Sequence, residues 1–177
     1  MNTAHISMED VPLLYNTMLA IGSQVDLLLL LAATILYGSA SWASFRYFRT
    51  TNPAARAGQS WISAGAGICM VLTVIRIAKA TPNETAANAA ALVLYLAGTA
   101  LFWWTWHTTK HHRMDFAFTS EAPPTLHTAG PYALFRHPYY LAYMAGWLAP
   151  VIRFHDALAW GIFLGMVHGP SRYMLPR

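Results

Sequence analysis

Charged side chains fall into short clusters along this 177-residue chain, and long uncharged stretches run between them. Residues 27–45, 57–75 and 85–109 contain no Asp, Glu, Lys or Arg. A helix rises about 1.5 Å per residue and the hydrocarbon core of a bilayer is about 30 Å thick, so about 20 such residues can cross it. The pattern predicts three helical spans over about residues 25–45, 58–78 and 85–107. Residues 113–137 then change texture: Pro123, Pro124, Gly130 and Pro131 stand among polar side chains, as in a loop. Two shorter apolar runs follow, 138–152 and 157–171, separated by Arg153-Phe154-His155-Asp156. Each would be about 22 Å long as a helix, short of a full crossing. They predict a helical hairpin over 138–171 that dips into the bilayer from the cytoplasmic side, with Pro138 in its first turn and Asp156 capping its second arm. The fold class expected is all-α: a polytopic transmembrane helical bundle forming one integral membrane domain over 1–177. The apolar run 11–21 reads as an interfacial turn of helix or as an extension of the first span. Acidic Glu9 and Asp10 before it argue against a signal peptide, which opens on basic residues.

Composition agrees with lipid as the solvent, since 56% of the residues are hydrophobic and 10% charged, against about 25% charged in soluble domains. The formal charge of +4 would suggest nucleic acid in a soluble protein. Here the basic residues sit at the ends of spans, so they report topology, and nucleic acid is not an expected partner. Arg46, Arg49 and Arg56 after the first span, and Lys110, Arg113 and Arg136 after the third, place both loops in the cytoplasm and the amino terminus outside. Arg76 and Lys79 against Glu84 form a weaker basic excess on the outer side, where Pro82 and Asn83 turn the chain. Cys69 is the sole cysteine, which excludes a disulfide within the chain. Gly65 and Gly67, with Ala64 and Ala66, form a small-residue face suited to close helix packing. Arg76 is expected to snorkel to the interface, and Trp103, Trp104 and Trp106 to form an aromatic belt.

Two constellations carry possible chemistry. His107, His111 and His112 stand near one helix end, with His107 and His111 four apart on one face, as metal or haem ligands can. Lys110 and Arg113 beside them repel a cation, and cationic side chains also suit a helix C-terminus. The denser constellation is 125–140, with a Gly-Pro turn, an Arg-His pair, a second proline and three tyrosines just before a short apolar run. Free N–H groups at a helix start can meet a carboxylate, and Tyr132, Tyr139 and Tyr140 can face a sulfonium cation. Tyrosine, arginine and histidine also gather at any membrane interface, so the residues by themselves leave both readings open.

The string Gly-x-Tyr-x-x-x-Arg-His-Pro-x-Tyr, here Gly130, Tyr132, Arg136, His137, Pro138 and Tyr140, resembles the signature of the isoprenylcysteine carboxyl methyltransferase family and its bacterial, phospholipid-methyltransferase-like relatives. The approach from Phe116-Ala117-Phe118 to Pro124-Thr125-Leu126 is similar too, so the resemblance covers about residues 94–152. It implies S-adenosylmethionine as cofactor, in a cytoplasmic pocket of a bacterial inner-membrane protein. Pro124, Thr125, Leu126 and His127 would contribute backbone contacts, while Tyr132, His137, Pro138, Tyr139 and Tyr140 would line the cofactor. Arg136 would hold a carboxylate or orient the loop, and His137 would serve as base for an amine acceptor. The acceptor implied is lipid-like or a small hydrophobic molecule, entering sideways from the bilayer. Family members continue past the hairpin into a segment with adjacent glutamates, whereas no Asp or Glu follows Asp156 here. Weak methylation by the chain as written is therefore expected. The alternatives are a non-catalytic membrane binding protein keeping this fold, or a haem or metal protein using His107, His111 and His112.

The topology is open to a direct check. A cysteine introduced at Ser120 should resist a membrane-impermeant thiol reagent added to intact cells; efficient labelling from the periplasmic face would invert the assignment.

Overall fold

The computed structural model describes residues 10–46, 53–80, 85–111 and 128–168. Five helices follow one another: α1 (Asp10–Arg46), α2 (Pro53–Lys79), α3 (Thr85–Thr109), α4 (Pro138–Phe154) and α5 (Ala157–His168). A 3-10 turn, Gly130–Ala133, precedes α4, and no strand occurs among the described residues. The helices expected at 25–45, 58–78 and 85–107 are present; α1 and α2 run beyond their uncharged stretches, and α3 coincides with 85–109. The run 11–21 belongs to α1, which continues unbroken through it. Two stretches, Gln24–Arg46 and Ala86–Thr109, are long and apolar enough to cross a membrane.

α3 is the central element, packed on α1 along one side and on α4 along another, while α2 leans on α1 and α5 on α4. Leu29, Ala33, Leu36 and Tyr37 of α1 meet Tyr95 and Phe102 of α3 and Tyr139, Ala142 and Trp147 of α4 in one core. Close approach depends on glycines other than those expected. A Cβ on Gly98 would lie 3.0 Å from the Ala142 carbonyl oxygen, and one on Gly146 would lie 2.9 Å from Leu36 Cδ2. At Gly65 and Gly67 it would meet nothing within 4 Å. Of the small-residue face of α2, Ala66 packs against the core but the glycines make no close approach; the tight glycine contacts lie on α3 and α4, which share the longest interface.

Pro150 sits inside α4 without breaking it. Proline has no N–H, so the carbonyl four residues earlier, that of Gly146, loses its helical donor. Tyr37 replaces it, its hydroxyl donating to the Gly146 oxygen at 2.8 Å. With its one proton committed there, Tyr37 accepts from the Tyr95 hydroxyl at 3.3 Å. The Tyr37 ring lies edge-on to Tyr95 and tilted against Trp147, at centroid distances of 5.8 and 5.4 Å.

One turn beyond Pro150, Arg153 points back into the bundle. Its Nη1 donates to Asp26 of α1 at 2.9 Å and to Asn88 of α3 at 2.5 Å, and Asn88 Nδ2 donates to the same Asp26 oxygen at 3.2 Å. At the opposite end of α4, Tyr139 shares a hydrogen bond of 3.1 Å with Thr109. α4 therefore lies beside most of α3, and with α5 it forms the hairpin expected from residue 138 onwards. The apolar run seemed to stop at Ile152 because Arg153 is charged; Asp26 meets that charge, so the helix continues.

The turn between α4 and α5 closes as the sequence suggests. His155 takes a left-handed conformation, φ 49°, and donates its N–H to the Val151 oxygen at 3.0 Å. Asp156 accepts from the Ala159 N–H at 2.8 Å, capping α5. Arg76 does not simply snorkel: it pairs with Asp156 and covers the Phe154 ring, 4.1 Å from its centroid. Arg153 lies 5.4 Å from the same centroid.

Two measurements test these ties. Tyr37→Phe should cost about 1–2 kcal/mol of stability in detergent, because the Gly146 oxygen is left without a donor. In a Pro150→Ala background, which restores the backbone N–H, the cost should fall by at least half; an equal cost in both backgrounds would disprove the replacement. For Asp156, the Ala159 N–H is the main influence holding the carboxyl below its usual range; partial burial pushes the other way, and Arg76 adds to the lowering. A depressed carboxyl stabilises the fold above its unfolded value of about 3.9 and stops doing so as pH falls through the lower folded value. The melting-temperature advantage of wild type over Asp156→Asn should therefore persist at pH 5–7 and shrink below about pH 4.

Candidate functional site

The resemblance-bearing string is folded into one small structure at the end of the bundle where α3 finishes. Gly130 has φ +61°, and a Cβ there would stand 2.5 Å from Thr108 Oγ1. Both the left-handed backbone and the contact with α3 therefore demand glycine. Pro131 is buried behind it, and its carbonyl accepts from the N–H groups of Leu134 and Phe135 at 3.1 and 2.9 Å. The chain then passes through Arg136 and His137, both exposed. The His137 carbonyl accepts from Leu141 at 3.0 Å, so His137 caps α4 and Pro138 is its first residue. A missing N–H costs nothing there, and the fixed φ suits the start.

The three tyrosines do not share one surface. Tyr132 is half-buried on the 3-10 turn. Tyr139 faces inward between α3 and α4, its ring edge-on to Phe102 at 5.4 Å. Tyr140, half-exposed, turns towards α5 and donates to the Val167 oxygen at 3.2 Å. Tyr139 therefore packs the helix that carries the turn, and the groups displayed are Tyr132, Arg136, His137 and Tyr140. Pro124, Thr125, Leu126, His127 and His112 lie outside the described residues.

Around this end the aromatic belt is a cluster. Trp42 of α1 stacks on Trp103 at 6.1 Å and meets Trp106 at 5.7 Å, and Trp103 donates its indole N–H to Ser39 at 3.2 Å. Trp104 is exposed. Lys110 lies 5.8 Å over the Trp106 ring, and His107 meets that ring edge-on at 5.7 Å. His107 and His111 are exposed, and no group of three or more His, Cys, Asp or Glu that could hold a metal occurs among the described residues.

Charge is distributed unevenly between the two ends. Asp26 and Asp156, the described acidic side chains, both lie at the Arg153 end and are both paired there. The other end carries Arg46, Lys110 and Arg136 with no carboxylate among the described side chains. It can receive an anion.

Sequence reasoning missed four residues that matter. Asp26, Asn88 and Arg153 were detectable as polar groups bordering apolar runs, positions where an ionisable residue needs a partner. Tyr143 was detectable as the residue four after Tyr139, hence on the same face of α4. Its ring tilts against Phe102 at 6.3 Å, and its hydroxyl is buried with no hydrogen-bond partner.

Compared with protein-family models, curated proteins and solved structures, the chain gives no match.

Proposed function

We propose that this chain is an integral membrane methyltransferase using S-adenosylmethionine, with a carboxylate or head group of a lipid-like or small hydrophobic molecule as acceptor. In this reading α1, α2 and α3 span a bacterial inner membrane, the amino terminus is outside, and the Gly130–Tyr140 string lies in the cytoplasm. One observation carries it: the string's spacing has a structural use at two of its fixed positions, with Gly130 obligatory against Thr108 and Pro138 opening α4. Arg136 and His137 are thereby presented at the end of the bundle whose described charges are all basic.

The cofactor supplies an electrophilic methyl group on a sulfonium. The protein's share is mostly placement, because a carboxylate acceptor is already anionic at neutral pH. Arg136 can fix a carboxylate through paired N–H donors, and the Tyr132 ring offers a π face to a cation. An amine acceptor must first lose a proton, which His137 can take. Holding acceptor and methyl group about 3–3.5 Å apart and in line can supply roughly 7–11 kcal/mol of the barrier reduction.

Calorimetry with S-adenosylhomocysteine tests the proposal. The purified protein should bind it, and a Tyr132→Ala, His137→Ala double variant should bind at least tenfold more weakly. No binding by the wild type would end the methyltransferase reading; equal affinity in the variant would move the site elsewhere.

A further inference from the structure

We infer that the Tyr143 hydroxyl belongs to the cofactor site, where it donates a hydrogen bond to an oxygen acceptor of the adenosyl cofactor, a ribose hydroxyl or the amino-acid carboxylate. The inference rests on the function proposed above and adds a residue that the sequence string does not contain. The other buried tyrosine hydroxyls are partnered: Tyr37 with the Gly146 oxygen, Tyr95 with Tyr37, and Tyr139 with Thr109. Tyr143 is the exception, its hydroxyl enclosed with nothing to bond. An unsatisfied buried hydroxyl is destabilising, and a phenylalanine would fill the same space without that penalty.

Position identifies what the hydroxyl serves. Tyr143 stands one turn beyond Tyr139 on the face of α4 that meets α3, with its ring anchored against Phe102. Tyr132 stands on the 3-10 turn that precedes α4. The unpaired donor thus lies within the first two turns of α4, the helix that the turn leads into, at the end of the bundle without described carboxylates. A ligand held by Tyr132 and His137 brings acceptor oxygens to that region. Tyr139, whose hydroxyl is already bonded to Thr109, fixes the rotation of α4 that aims Tyr143 there.

Tyr143→Phe is the test, because it removes one oxygen and leaves the ring. If the hydroxyl waits for a ligand, the ligand-free variant should melt about 2–4 °C above wild type, as a gain near 1 kcal/mol implies for a chain of this size. S-adenosylhomocysteine should bind the same variant roughly tenfold more weakly, the loss of one good hydrogen bond. Gain in stability with loss of affinity is a signature that a purely structural tyrosine would not give. Unchanged affinity in Tyr143→Phe, with normal wild-type binding, would overturn the inference and leave the methyltransferase reading intact. A lowered melting temperature would also overturn it, by showing that the hydroxyl already has a partner such as water. Failure of the wild type to bind would remove both.

Discussion

Arg153 imposes the constraint on which the arrangement of helices depends. Its side chain is 2% exposed, and a guanidinium so deeply enclosed must find its counter-charge inside the bundle. Removing one member of such a pair typically costs about 3–5 kcal/mol, because the other is left buried and uncompensated. Asp26 from α1 and Asn88 from α3 converge on a single nitrogen of Arg153, so three helices are registered at one point. The Tyr37 bond to Gly146 lies on the same helix, seven residues earlier. Two ties at different heights fix both the depth and the rotation of α4. Residues 146, 143 and 139 follow one another at spacings of three and four, which keeps them on one face. Once Gly146 is set against Leu36 and Tyr37, Tyr143 and Tyr139 are turned to the interior, and the Arg136–His137 pair that precedes the helix is carried to its place.

What the sequence disclosed was local. Uncharged runs marked α1, α2 and α3; Pro138 marked the start of α4, and Asp156 the start of α5, because each acts within a turn of itself. What it concealed depends on partners distant in the chain. Gly65 and Gly67 look as suitable for close packing as Gly98 and Gly146, and only the neighbouring helix decides between them. Arg153 was taken to end an apolar run because a charge is costly in such a run, and the compensating Asp26 is 127 residues away. Pro150 inside α4 leaves the Gly146 carbonyl without its helical donor, and the Tyr37 that replaces it is 109 residues away. The same limit applies to the site. The string from Gly130 to Tyr140 could be read as a unit, but adjacent residues on a helix point about 100° apart, so Tyr139 and Tyr140 were bound to serve different neighbours.

The two ends of the bundle are thereby given opposite chemistry. At the Arg153 end both described carboxylates are paired, Asp26 with Arg153 and Asp156 with Arg76, and Phe154 lies beside both guanidiniums, while Arg153 Nε and Nη2 stay buried without a hydrogen-bond partner. Such a region holds helices together. At the other end Arg46, Lys110 and Arg136 have no described carboxylate to meet, and the aromatic cluster of Trp42, Trp103 and Trp106 gives that end a broad amphipathic rim. In a membrane setting the same asymmetry serves twice. Basic residues beside spans favour a cytoplasmic placement of that face, and they suit a carboxylate, whether of an acceptor or of a ligand's amino-acid part. The contacts that fix the fold hold both described carboxylates at the far end, and Arg46, Lys110 and Arg136 meet none among the described side chains.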